Sequence, residues 1–269
     1  MIQKSFDPTR SAMSSQEKRI RGVILIEYVD PKDPNSKRTK SFQDPSWTIC
    51  GYAGSITTGR NGNVYVLPKA NVNMLYNQPQ NQNTIYVVDS ESGKMTQWLS
   101  IPMARIPDNQ NANGLLSAYY DCDNDNLIVC SIAGSNQKTE IGKVYTINTT
   151  TKNINTILEN RDVLSVVTAR IGNQKKLFYG LCRKSEIWSI DLDNNNIPIG
   201  KPNLEINISD LGPRGDDKAR KIRIDQNGFL QIHGVPFFYN LTAPVNRQES
   251  IYTYQYNALN KKWILREII

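Results

Sequence analysis

The sequence predicts an all-β fold, a β-propeller of five blades made from four four-stranded repeats and an N-terminal hairpin. Three observations predict it. A unit of about four short apolar strands, separated by turn residues, recurs down the 269 residues. A β-branched residue followed by an aromatic marks the third strand of each unit, at Ile85-Tyr86, Val144-Tyr145, Ile187-Trp188 and Ile251-Tyr252. No stretch carries a helical period long enough to bury a helix. Repeats of blade length with short, evenly spaced strands are what radial β-repetition requires.

The clearest repeat runs from Ser55 to Trp98. It reads as a strand, a turn at Asn61-Gly62-Asn63, a strand at Val64 to Val66, and a long polar loop. A strand from Ile85 to Asp89, a Ser-Glu-Ser-Gly turn and a last short strand complete it. Asn and Gly suit such turns, since both tolerate the left-handed backbone. The successive marker aromatics are 59, 43 and 64 residues apart, and the loop before each pair absorbs the scatter.

Taken in order, residues 1–20 are polar, Ser-rich and aperiodic, and are expected to be a flexible arm. Residues 21–269 form a single propeller domain. The hairpin spans about 22–43, opening with Val23 to Val29 and returning through Lys37 to Phe42. The full units span about 50–101, 111–158, 163–208 and 217–268. The hairpin either stands alone as a blade or shares one with the C-terminal strands.

Charged residues make up 21% and hydrophobic ones 39%, which argues against wholesale disorder. The net charge is +7. Residues 51–211 hold fourteen Lys/Arg and fourteen Asp/Glu, so the excess sits at the two ends. If the ends meet, they form a basic sector suited to an acidic partner. No apolar run approaches a membrane span, and the polar start lacks a signal-peptide core. If Met1 is the native start, a cytoplasmic or assembly-associated protein is expected; a trimmed chain would fit secretion or a periplasmic place.

Chemistry-bearing patterns are few. The four cysteines, Cys50, Cys122, Cys130 and Cys182, lack zinc spacing. Cys122 and Cys130 flank a turn and could face each other, though free thiols are expected. Asp121, Asp123 and Asp125 alternate as in a calcium loop, but Asn126 and Ile132 stand where that loop needs Gly and Glu. His233 is the single histidine and has no triad partner. The richest cluster is Arg214, Lys218, Arg220, Lys221 and Arg223, a candidate partner-binding set for a phosphate or carboxylate. Strand alternation places Arg220 with Ile222 on one face and Lys221 with Arg223 on the other. The interleaved aromatics of an RNA-binding strand pair are missing, so nucleic acid is not an expected partner.

Asn61-Gly62-Asn-Val-Tyr-Val66, Asn113-Gly114-Leu-Leu, Lys143-Val-Tyr145 and Ile224-Asp225-Gln-Asn-Gly228-Phe-Leu together resemble the blades of the senescence-marker/gluconolactonase group and of NHL-repeat proteins. That resemblance implies a divalent cation, calcium or zinc, held on the ring axis by Glu, Asn and Asp. Asn113 matches an Asn-Gly ligand position, and Asp162 and Asp217 are the remaining candidates. Gly54 and Arg220 occupy equivalent places in the first and fourth units, so the implied metal site is degenerate. The expected function is therefore a non-catalytic binding or assembly scaffold that needs no cofactor. Its loops Pro68–Asn83 and Pro236–Glu249 would contact a protein or other acidic partner. A metal-dependent lactonase or hydrolase and a carbohydrate-binding propeller are the alternatives.

Overall fold

The computed structural model describes residues 4–17, 20–33, 36–71, 74–241 and 248–269. These form five antiparallel sheets, each made of strands consecutive in the chain. The first holds β1 (Ser11–Ser14), β2 (Ile24–Tyr28) and β3 (Arg38–Phe42). The second holds β4 (Ala53–Thr58), β5 (Val64–Pro68), β6 (Thr84–Val88) and β7 (Met95–Ser100). The third holds β8 (Leu115–Asp121), β9 (Asn126–Ser131), β10 (Lys143–Asn148) and β11 (Ile154–Glu159). The fourth holds β12 (Val163–Ile171), β13 (Gln174–Leu181), β14 (Glu186–Leu192) and β15 (Pro198–Asn207). The fifth holds β16 (Lys218–Ile224), β17 (Leu230–Val235), β18 (Ser250–Asn257) and β19 (Lys262–Ile268). The sheets are the five blades of a β-propeller, and β1, β4, β8, β12 and β16 border its central cavity.

Strand alternation builds the ring. A blade is sandwiched between two others, so both of its faces must be apolar. In β9, Leu127 and Val129 pack toward the second blade, while Ile128 and Cys130 pack toward the fourth. The same split divides Tyr65 and Leu67 from Val64 and Val66 in β5. In β13 it divides Leu177 and Tyr179 from Phe178. Each such side chain contributes roughly 1.5–3 kcal/mol of burial. The marker pairs occupy the third strand of every four-stranded blade, with Ile85, Val144, Ile187 and Tyr252 wholly buried. Where blades four and five meet, a Cβ on Gly180 would lie 2.5 Å from that of Ala219, so glycine sets the approach.

The first blade is richer than the expected hairpin. Ser11–Ser14, within the stretch expected to be an arm, pairs with β2 as the innermost strand. Phe6 is buried against Val23, Leu25 and Trp47, and Ser15 Oγ donates to the Gly54 carbonyl at 2.6 Å. Its Ser-Ala-Met-Ser sequence has no strand pattern of its own; the open edge of β2 organises it. Among the described residues the N-terminal strands stand alone as a blade, and no strand is shared with the C-terminal one.

The aspartate-rich turn after β8 ties two blades together. Lys175 of β13 lies 2.6 Å from Asp121, with the two side chains 3% and 4% exposed. Asn196 Nδ2 donates to the same carboxylate at 2.7 Å. Cys122 is exposed while Cys130 pairs with Ser117 across the hairpin, so the two thiols do not face each other. Among the described residues all four cysteines are free, and no helix is long and apolar enough to cross a membrane.

Candidate functional site

The innermost strands enclose a cavity of about 830 Å³. Ala53 pairs with Pro68, and Lys218 with Val235. The loops that follow β5 and β17 therefore emerge at the end where β4 and β16 begin. Asn71 and Phe237 from those loops line the cavity with Asn113, which places both loops at one mouth. Residues 72–73 and 242–247 of the expected contact loops lie outside the described residues.

Four cations line this cavity: Lys69, Arg220, Lys221 and Arg223. Among the described lining residues there is no Asp or Glu. Neither the Lys69 nor the Lys221 side chain has a hydrogen bond or ion pair with the described residues, and both residues are exposed and line the cavity. Protein atoms crowd Lys69 closely enough that desolvation lowers its pKa, and the charge of Arg220 lowers it further. Lys221 is lowered by desolvation, then by Arg223 and Arg220, against the opposing pull of Glu249. Arg223 Nε donates to Gln231 at 2.7 Å.

Arg220 is anchored from behind. Its Nε donates to Glu249 Oε1 at 2.8 Å, and its Nη2 donates to the same oxygen. His233 Nδ1 lies 2.9 Å from Glu249 Oε2. Burial acts to raise the Glu249 pKa, but His233 and Arg220 outweigh it and hold the carboxyl at about 2. The His233 Nε2 atom is buried and has no partner among the described residues.

Three of the five cations singled out in the sequence thus meet at the cavity. The pairing slips between Ala219 and Lys221, which takes Arg220 out of the expected alternation, while Lys221 and Arg223 keep one exposed face and Ile222 is buried. β16 is also the edge strand of its sheet at the cavity, so Arg220, Lys221 and Arg223 all line the opening. The other two cations are used inside the fold. Arg214 grips Asp217 with Nε at 2.6 Å and Nη2 at 2.8 Å. Lys218 Nζ reaches Ser185 Oγ at 3.2 Å and the Asp216 carbonyl. Lys69 was not singled out; a lysine after a strand-ending proline carries no distinguishing signal.

The three candidate metal ligands are placed as follows. Asp162 is fully buried. Its Oδ1 accepts from Ser135 Oγ at 2.5 Å and from the Gly142 amide at 3.1 Å. Its Oδ2 accepts from Tyr239 Oη at 2.5 Å and from Arg183 Nε at 3.2 Å. Asn113 Nδ2 donates to the carbonyl of that same Tyr239 at 2.8 Å, so Tyr239 links the two. Asp217 sits apart, bonded within the fifth blade to Arg214 and to Tyr252 Oη at 2.8 Å. Burial acts to raise its pKa, but Arg214 and Tyr252 prevail and hold it below the usual carboxylate range.

These features define a five-bladed propeller with a cationic central cavity. No family model and no curated protein matches the sequence. Among solved structures, the fold resembles a Lactobacillus plantarum protein with TM-score 0.53 and 13% identity, covering 98% of this chain and 69% of that one. The extracellular domain of a protein described as a one component system from B. thetaiotaomicron follows at TM-score 0.49 and 14% identity, covering 85% of this chain and 26% of that one. An exo-β-1,3-galactanase from Phanerochaete chrysosporium gives TM-score 0.45 and 11% identity, covering 80% of this chain and 49% of that one. Likeness at these identities speaks for the fold alone.

Proposed function

We propose that the protein is a non-catalytic binding propeller that takes an anionic group into its central cavity. The observation that carries this reading is the gathering of Lys69, Arg220, Lys221 and Arg223 on one cavity with no carboxylate among its described lining. Like charges held together without counterions cost stability, and low-dielectric walls focus their field on an incoming anion. Arg220 offers a planar fork already oriented by Glu249, and Lys69 and Lys221 offer mobile point charges. This reading puts the anionic partner at the central cavity rather than at the joined termini expected from the charge distribution.

The cation-dependent hydrolase reading would draw on Asn113, Asp162 and Asp217. A hard cation wants several free oxygens, whereas Asp162 and Asp217 each give theirs to an arginine and a tyrosine. No observation favours that reading over the anion site.

Thermal unfolding and calorimetry at low salt, with inorganic phosphate and sulfate, test the proposal. A ligand of the folded state raises the midpoint with its concentration. The rise is expected with either anion, to weaken as salt screens the site, and to vanish in Lys69→Glu/Lys221→Glu. No shift with any anion, including acidic peptides, overturns it.

A further inference from the structure

We infer that the ligand is a phosphorylated polyol, a sugar phosphate being the simplest member of the class. The inference rests on the anion-binding reading above. Its first support is a charge count. Glu249 offsets one of the four cavity cations by its ion pair with Arg220. Lys69, Lys221 and Arg223 remain without a carboxylate. A single carboxylate ligand would leave two of these uncompensated. A phosphate monoester carries about −1.5 to −2 charges at neutral pH and three acceptor oxygens, which suits three cations from separate positions.

The second support is the neutral remainder of the wall. The cavity-lining residues of β4, β8 and β12 include no charged side chain. They carry hydroxyls instead: Ser55, Thr57, Ser117 and Thr168. Some of these hold blades together. Ser55 Oγ accepts from the Ala118 amide at 3.1 Å, and Thr57 Oγ1 accepts from the Tyr120 amide at 3.2 Å. Ser117 on β8 is not used in that way. Its hydroxyl has no partner among the described residues, and neither do the carboxamides of Asn71 and Asn240. In ring order β8 is not a neighbour of β16, so Ser117 lies away from Arg220, Lys221 and Arg223, while Lys69 stands on the adjoining second blade.

Hydroxyl and carboxamide groups can each donate and accept, which matches the alternating donors and acceptors of a polyol. Phe237 and Tyr119 also line the cavity and supply aromatic surface suited to the C–H surface of a sugar. An acidic peptide would use the cations but leave this neutral wall without a role. The cations of β16 and Lys69, set beside the uncharged, hydroxyl-bearing wall of β4, β8 and β12, therefore favour one molecule that has both chemistries.

Calorimetry on the full chain with four probes tests this: inorganic phosphate, a hexose 6-phosphate, the unphosphorylated hexose and a hexa-aspartate peptide. The hexose phosphate is expected to bind about tenfold tighter than phosphate, with the hexose weaker than either. Ser117→Ala and Asn240→Ala are each expected to lower hexose-phosphate affinity about threefold or more while leaving phosphate binding unchanged. Asn240 is an exposed loop residue, so its replacement does not depend on refolding of the wall. Equal binding of phosphate and hexose phosphate, tighter binding of the peptide, or indifference to both variants overturns the inference but leaves the anion site standing. Failure of all three anions to bind overturns both.

Discussion

The hydroxyl of Tyr239 donates a 2.5 Å hydrogen bond to Oδ2 of Asp162, a residue 77 positions earlier in the chain. The same tyrosine accepts at its carbonyl from Asn113, and Arg183 lies over its ring at 5.3 Å. One loop residue of the fifth blade is thus locked to the third and fourth. Burial and then Asp162 push the phenol pKa upward, so it stays a donor throughout the physiological range. Tyr239→Phe removes one donor from a buried carboxylate and is expected to cost about 1–3 kcal/mol. Urea unfolding of the two proteins measures this; an unchanged midpoint would show that the lock contributes nothing.

Lys175 and Asp121 supply a second tie, deep between blades three and four. Lys175→Met leaves the carboxylate buried with, among the described residues, only the neutral Asn196 carboxamide and Asp123 amide donating to it, and a loss of about 3–5 kcal/mol is expected. Adding Asp121→Leu removes the stranded charge and should recover part of that loss. If the double variant is no more stable than the single one, desolvation is not the source of the cost.

Lys69 makes a different prediction because its charge is disfavoured in the free protein. Its pKa is lowered in the folded state, so the unfolded chain binds more protons between the lowered and the ordinary lysine values. Its unfavourable contribution is therefore present at neutral pH and relieved as pH rises through that window. Lys69→Met is expected to raise the melting temperature at pH 7 while abolishing anion binding. A variant that melts lower, or that still binds phosphate normally, contradicts the assignment.

Glu249 has the opposite sign. Its carboxyl is held at about 2, below the ordinary 4.5, by His233 and Arg220 working against burial. The stability it confers is full above about pH 4.5 and is lost as pH falls toward about 2. Glu249→Gln should flatten the acid side of a melting-temperature profile between those values. It should also free Arg220 and tighten phosphate binding at neutral pH. Retention of the wild-type acid slope would assign that slope to other carboxylates.

The repeat was legible because its information is local. A period of two on each strand, a β-branched-aromatic pair and turn residues between strands all survive large changes in loop length. β1 was not legible, since Ser11–Ser14 is a strand only because β2 offers an edge. Arg220, Lys221 and Arg223 were found as a charge cluster, but their convergence depends on a register slip and an edge position that spacing does not encode. Lys69 comes to them from 151 residues away in a charge-balanced part of the chain, and only ring closure brings it there.

Every sheet, including the first and last, is completed by strands that follow one another in sequence. Among the described residues, therefore, no terminal strand is threaded into a foreign blade as a clasp. In genetic terms the blades are interchangeable as starting points. A circular permutant that joins the present ends and begins between Ser100 and Leu115 would cut no ladder of hydrogen bonds and would leave the cavity wall in the same order around the ring.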